Sequence, residues 1–272
     1  MADTELVIKA NKNPPGERLV ARFLIDRAVR GQFHTVWFSV HPAAWALRRV
    51  PPAARPPALF VGTHPSWWDG YLTWPLNRAL GARDGYLMMD ALSLQHYRFF
   101  TWIGVFGIDR ADPRAALASI EYSAELLSGA PNRAVWMFPQ GTITPPDRRP
   151  LGIYPGVAHL ARRLPACDII PVAWRMVYRL EQRAECFIRV GAPLHQESAQ
   201  RLGTRQLSAT VDGLLTALDD QLADELMHGD ISRPLPGYRP LLRGRTSVNR
   251  IWEQVQATAV RLAGRTPPPP AP

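Results

Sequence analysis

The chain has 272 residues, 46% of them hydrophobic, with a formal net charge of +9 at pH 7 and two cysteines. That length and apolar content are enough for one sizeable α/β core and require no second domain. The absence of a run of 18 or more apolar residues argues against a membrane-spanning helix. The acidic start Met1-Ala2-Asp3-Thr4-Glu5 has no apolar stretch of signal-peptide length beside it, so a cytoplasmic location is expected. The positive charge suits an anionic bilayer surface or a phosphate-bearing ligand. Lys9 and Lys12 are the only lysines, and the arginines that supply the rest are scattered rather than gathered in a stripe. With no recognition motif, that pattern argues against nucleic acid as a partner. Cys167 and Cys186 fall in or beside predicted strands and read as buried free thiols.

In chain order, Glu17 to Arg30 is helix-like. Its arginines fall on several sides of the wheel, which fits packing on the main domain better than a surface-binding face. Phe33 to Val40 reads as a first strand. Pro51-Pro52 and Pro56-Pro57 mark an extended link to the strand-like run Ala58-Leu59-Phe60-Val61. Trp67 to Leu80 is expected to be helical and Gly85 to Met89 to be a strand. The aromatic run Tyr97 to Ile103 is either core packing or the wall of an apolar tunnel.

The clearest helix runs from Asp112 to Ser128. Asp112 caps it, Pro113 takes the first turn, Leu117, Ile120, Ala124 and Leu127 share a face, and Gly129 stops it. Ala134 to Met137 is strand-like, Gly156 to Leu164 reads as a short helix, and Asp168 to Tyr178 and Glu185 to Val190 read as strands. Pro171 implies that its strand lies at an edge or is interrupted there. Arg205 to His228 carries a helical stripe of Leu207, Val211, Leu214, Leu215, Leu218, Leu222 and Leu226. A last helix is expected from Ser247 to Ala263, then a disordered proline-rich tail. Strands alternating with helices predict an α/β fold with a mixed, largely parallel central sheet flanked by helices. The expected organisation is an N-terminal helical segment (1–32), an α/β core (33–200), C-terminal helices packed on it (201–266) and the tail (267–272).

The chemistry concentrates in His64-Pro65-Ser66-Trp67-Trp68-Asp69, just after the Ala58–Val61 run. Histidine has the side-chain pKa nearest neutrality, and a carboxylate that accepts its second ring N–H fixes the tautomer and makes the free nitrogen a better base. On one ideal helix residues five apart point about 140° from each other, so the pair meets more easily if His64 sits in the turn before the helix carrying Asp69. Pro65 suits that placement, as proline favours a helix's first turn and keeps the residue before it out of the helical region. Ser66 is a turn or capping residue, since no G-x-S-x-G elbow is present.

Three further segments follow: Gly104-Val105-Phe106-Gly107-Ile108-Asp109-Arg110, Phe138-Pro139-Gln140-Gly141-Thr142, and Ile169-Ile170-Pro171-Val172-Ala173. In this order and at this spacing the four segments resemble the blocks of the glycerolipid acyltransferases, which include the lysophosphatidic acid acyltransferases. The resemblance spans roughly residues 33 to 190. It implies a glycerol-3-phosphate acyltransferase-like fold and acyl transfer from an acyl-CoA or acyl carrier protein thioester to the hydroxyl of a lysophospholipid or related lipid. It implies His64 as general base with Asp69 supporting it, and Arg110, Phe138, Pro139, Gln140, Gly141 and Thr142 as substrate-binding. It requires no cofactor or metal, and it places the protein at the inner face of the cell membrane. The plain alternative for Arg110 is a salt bridge with Asp109 or Asp112.

The third block departs from the family's common pattern: Gln140 stands where glutamate is usual, no arginine lies near Ile143, and Thr63 takes the place of asparagine before the histidine. Gln140 can hydrogen-bond but carries no charge, so an acceptor other than lysophosphatidic acid, such as a glycolipid sugar, is open. Gln140 also motivates a non-catalytic acyl-CoA- or lipid-binding alternative. A metal-dependent hydrolase would use His64 and Asp69 as ligands with His96 or His159, without support from an H-x-x-H, H-E-x-x-H or D-x-D cluster.

Overall fold

The computed structural model describes residues 7–164, 166–245, 252 and 256. Eight strands form a single sheet in the order β4-β3-β5-β2-β6-β7-β1-β8. They are β1 (Thr35–Val40), β2 (Ala58–Gly62), β3 (Asp84–Asp90), β4 (Val105–Ile108), β5 (Arg133–Met137), β6 (Asp168–Val177), β7 (Glu185–Val190) and β8 (Arg239–Arg243). Only β6–β7 and β1–β8 pair antiparallel; the other neighbours are parallel. The fold is thus the expected mixed, largely parallel α/β sheet between helices.

Side-chain alternation along the central strands divides the core in two. Ala58 and Phe60 of β2, Ala134 and Trp136 of β5, and Ile170, Val172 and Trp174 of β6 face one layer. It contains Leu72 and Leu76 of the helix Asp69–Ala79 and Val20, Ala21, Ile25 and Val29 of the N-terminal helical run. Leu59, Val61, Val135, Met137 and Ile169 face the other layer. Its helices are Pro113–Ser128, Gly156–Arg163 and the first half of Thr204–His228. Strands buried on both faces have no polar side, which is why β2 and β5 read as continuous apolar runs.

Several sequence expectations change in detail. The helix expected from Glu17 to Arg30 is an unbroken run of Pro14–Glu17, a π-helical stretch Arg18–Ile25 and Asp26–Gln32. Asn13 caps its start by accepting from Gly16 N at 2.7 Å, and a Cβ on Gly16 would lie 2.7 Å from Trp102 Cβ, so the close approach needs glycine. The proline-rich link contains a 3₁₀ turn, Pro52–Ala54. On Pro113–Ser128 the buried face is Ala115, Ser119, Ile120, Ser123, Leu126 and Leu127, while Leu117 is exposed. Ser119 and Ser123 can be buried because their hydroxyls donate to carbonyls at Gly107, Ala115 and Ser119.

Pro171 is not in an edge strand. β6 lies between β2 and β7, but the β7 pairing covers only Val172–Val177, and Pro171 O accepts from Gly191 N where β7 has ended. The missing N–H therefore faces a gap in the ladder. The region 201–266 is not purely helical either, since β8 extends the sheet antiparallel to β1 after the helix Thr204–His228. That helix buries Leu207, Val211, Leu215, Leu218 and Leu222, as its stripe predicts. Both cysteines are buried thiols. Among the described residues no helix is long and apolar enough to cross a membrane. The helix expected over 247–263, apart from Trp252 and Gln256, and the tail 267–272 lie outside the described residues, as does the start 1–6.

Candidate active site

β2 and β5 are adjacent parallel strands in register, Val61 beside Met137, so the segments leaving their C-terminal ends emerge together. One delivers Thr63 and His64, the other Phe138 to Thr142. His64 sits in an extended segment and the helix begins only at Asp69, so Pro65 lies in the connection rather than in the helix's first turn. The expected meeting of the pair holds. His64 Nδ1 lies 3.0 Å from Asp69 Oδ2, which also accepts from Ser66 N at 2.9 Å. Ser66 is a turn residue, its Oγ accepting from Trp68 N.

Asp69 is wholly buried, and its Oδ1 has no hydrogen-bond partner. Burial pushes its carboxyl up to about 6, against the opposing pull of His64 and the Ser66 N–H. The deprotonated carboxylate accepts the Nδ1 proton, which leaves Nε2 as the unprotonated ring nitrogen.

His64 stacks on Phe138, centroids 4.7 Å apart at 19°, and both line a cavity of about 1070 Å³. One side of the cavity is formed by Ile25, Tyr71, Trp74, Leu87, Phe100 and Val105, the other by Ile120, Met137 and Val157. Exposed side chains Trp67, Arg110, Tyr154, His159 and Arg163 mark its opening. The volume is at the upper end of ordinary small-molecule pockets, enough for a long apolar chain and a polar group.

Of the expected substrate-binding residues, Arg110, Phe138, Pro139, Gly141 and Thr142 line this cavity. Gln140 does not. It is buried, and its Oε1 accepts the His64 backbone N–H at 2.7 Å. A turn explains the correction: Gly141 N donates to Phe138 O at 3.0 Å, and position 140 of that turn faces the His64 backbone rather than the cavity. Gly141 has φ +68°, and a Cβ there would run into Arg110 Nη1, so this glycine serves both the turn and the arginine. The alternative salt bridge of Arg110 is not formed among the described residues. Asp109 and Asp112 instead accept from Ala111 N and Arg114 N.

Tyr71, Trp74, Tyr154 and Thr144 are site components that sequence reasoning missed, and His159, weighed there only as a metal ligand, stands at the cavity opening. Thr144 N donates to His64 O at 2.9 Å. Only their proximity to the motifs could have signalled them. His96 bonds its own helix at Leu92 O, and among the described residues no three His, Cys, Asp or Glu side chains converge to hold a metal.

Residues 46–175 match the family model described as Acyltransferase, a segment running from before β2 into β6 and containing His64, Asp69, Arg110 and Phe138 to Thr142. The matched segment, 130 of the chain's 272 residues, resembles the acyltransferase family. The crystal structure of the 1-acyl-sn-glycerophosphate (LPA) acyltransferase PlsC from Thermotoga maritima aligns with this chain at a TM-score of 0.46. The alignment has 15% identity and covers 76% of this chain and 81% of that one. No curated protein matches the chain.

Proposed function

We propose that this protein moves a fatty acyl group from an acyl-CoA or acyl carrier protein thioester to the hydroxyl of a lysophospholipid or related lipid, with His64 as general base. The observation that carries the reading is the His64–Asp69 pair set in the wall of a largely apolar cavity. His64 Nε2 takes the proton of the acceptor hydroxyl as its oxygen attacks the thioester carbonyl. The tetrahedral intermediate then collapses, expelling the thiolate, and the imidazolium returns the proton to that leaving sulfur. Asp69 stabilises the imidazolium; a positioned base of this kind contributes about 10²–10⁴-fold.

The apolar walls suit the acyl chain, while Arg110, His159 and Arg163 at the opening suit phosphates of the donor or acceptor. The exposed Leu19, Phe23 and Leu24 among Arg18, Arg22 and Arg27 give the N-terminal run a face suited to an anionic membrane surface. The non-catalytic alternative loses its motive, because Gln140 supports His64 rather than replacing a reacting group.

Mass spectrometry of products tests the proposal, with the purified protein and its His64→Ala variant incubated with mixed acyl donors and a panel of lysophospholipid and glycolipid acceptors. A new acylated lipid made by the unaltered protein and not by the variant is the expected result. Donor binding without turnover would overturn it.

A further inference from the structure

We infer that Gln140 is the positioning residue for His64, holding the backbone on which the imidazole is mounted and doing so without a charge. The inference rests on the acyl-transfer reading for its kinetic consequences and on geometry alone for the contact itself.

The need for such a residue follows from where His64 sits. The last ladder bond on this stretch is Thr63 N to Val172 O, and the helix does not begin until Asp69, so His64 belongs to no regular element. Its backbone groups nevertheless both find partners in the loop after β5. Gln140 Oε1 takes its N–H at 2.7 Å, and Thr144 N donates to its carbonyl at 2.9 Å. Phe138 of the same loop stacks on the ring. The two ends of the site are thereby locked to each other across adjacent strands. Because the His64 N–H is a donor, the group facing it must be an oxygen, which fixes the amide's orientation. Gln140 is 6% exposed and is absent from the cavity wall that its neighbours Pro139 and Gly141 help to form, so it is built as a support and not as a substrate contact.

The neutral amide matters because a carboxylate is already buried on the other side of the histidine, Asp69 with its unpartnered Oδ1. A second carboxylate at 140 would supply the same acceptor oxygen while adding a negative charge beside the pair. The other ionisable groups around this corner are Cys186 of β7 near Asp69, Arg110 over Gly141, and Tyr154 packed against Gly141. None of them provides a negative charge at neutral pH. A carboxylate here would stabilise the imidazolium and the protonated carboxyl, so the active form would need higher pH.

The test compares full-length Gln140→Leu and Gln140→Glu with the unaltered protein. The readouts are kcat and both KM values from pH 5 to 9, acceptor selectivity over a lipid panel, and hydrogen exchange of the His64 backbone amide by NMR. Gln140→Leu is expected to lower kcat about 10–100-fold, as small misplacements of a reacting group do, with both KM values within about twofold and a faster-exchanging His64 amide. Gln140→Glu is expected to recover most of that kcat at alkaline pH, to move the acid limb upward and to keep the slow amide. A changed acceptor KM or selectivity with kcat preserved would overturn the inference by making Gln140 a substrate contact. An unchanged amide exchange in Gln140→Leu would overturn it outright. If the unaltered protein transfers no acyl group, the functional reading fails, and the amide exchange of His64 still decides this inference. If Gln140→Leu does not fold, the Gln140→Glu profile decides it.

Discussion

Asp69 Oδ2 lies 3.0 Å from His64 Nδ1 inside a site that excludes water from the carboxyl altogether. Burial raises the carboxyl to about 6, so at pH 7 the folded protein holds a charge that would cost less in the unfolded chain. The Asp69 carboxyl gains its proton as pH falls through about 6, and the imidazolium then loses its counter-charge. Activity measured as kcat/KM should therefore fall on the acid side with a midpoint near pH 6. A flat profile from pH 5 to 8 would contradict the role assigned to the pair.

The same argument gives opposite signs for stability and activity in Asp69→Asn. A carboxyl whose folded pKa lies above its unfolded value is destabilising above that pKa, and this contribution disappears as pH drops toward 4. From 3.8 to about 6 the linkage is roughly 3 kcal/mol at neutral pH. Asparagine removes that burden and can still accept from Ser66 N. Thermal unfolding at pH 7 should show an unchanged or higher Tm, while kcat falls about 10²–10⁴-fold because the imidazolium loses its counter-charge. A large loss of Tm would mean that Asp69 is chiefly structural.

Gly141 and Arg110 are coupled by space. An alanine at 141 must adopt φ +68° at a cost of about 1 kcal/mol, and its Cβ displaces the Arg110 guanidinium. The arginine end is flexible, so the effect on stability should stop near that figure, while substrate KM should rise by the amount expected for Arg110→Ala. Kinetics of the double variant should be no worse than those of the more severe single one. Additive losses would show that the two act separately.

The loop that clamps His64 is itself anchored from behind. Arg175 donates from Nε and Nη2 to the two oxygens of Asp219 at 3.0 and 2.8 Å and from Nη1 to Asp147 at 2.7 Å. Arg149 also reaches Asp219, at 2.7 Å, and bonds Pro146 O. Asp219 is almost fully buried, and Asp219→Ala removes its charged hydrogen bonds while leaving Arg175 with Asp147 and Arg149 with Asp220, so it should cost about 2–3 kcal/mol. A drop in Tm of roughly 5–10 °C is expected, together with a lower kcat through Thr144. A surface-like effect below 1 kcal/mol would show that the network is dispensable.

The parts legible in the sequence were those carried by periodicity and by motif. Buried β2 and β5, the capped helix after Asp112 and the His64–Asp69 pair each have a local signal. The rest depends on contacts between distant segments. β8 is a short edge strand containing Pro240, with no alternation to announce it. Leu117 fits an apolar stripe but sits on the cavity side of its helix, because the serines at 119 and 123 bury themselves by bonding the backbone. Gln140 is the sharpest case. Within its motif it reads as a substrate ligand, and only the register of β2 beside β5 shows that it faces His64 instead.

The N-terminal run presents a final contradiction to the usual surface. Leu19 is 57% exposed and Phe23 62%, on a helix whose other face buries Val20, Ala21 and Ile25 in the core. Exposed apolar groups four residues apart, flanked by Arg18 and Arg22, combine insertion into an interface with attraction to anionic lipid. Ile25 of this run also lines the cavity, so a docked face would bring the acyl site close to the bilayer. Sedimentation with vesicles containing anionic phospholipid should show binding that weakens with salt. The Leu19→Glu, Phe23→Glu double variant should lose it while keeping transfer to short, water-dispersed substrates. Equal vesicle binding by both proteins would remove this face from the membrane contact and leave its exposure without a role.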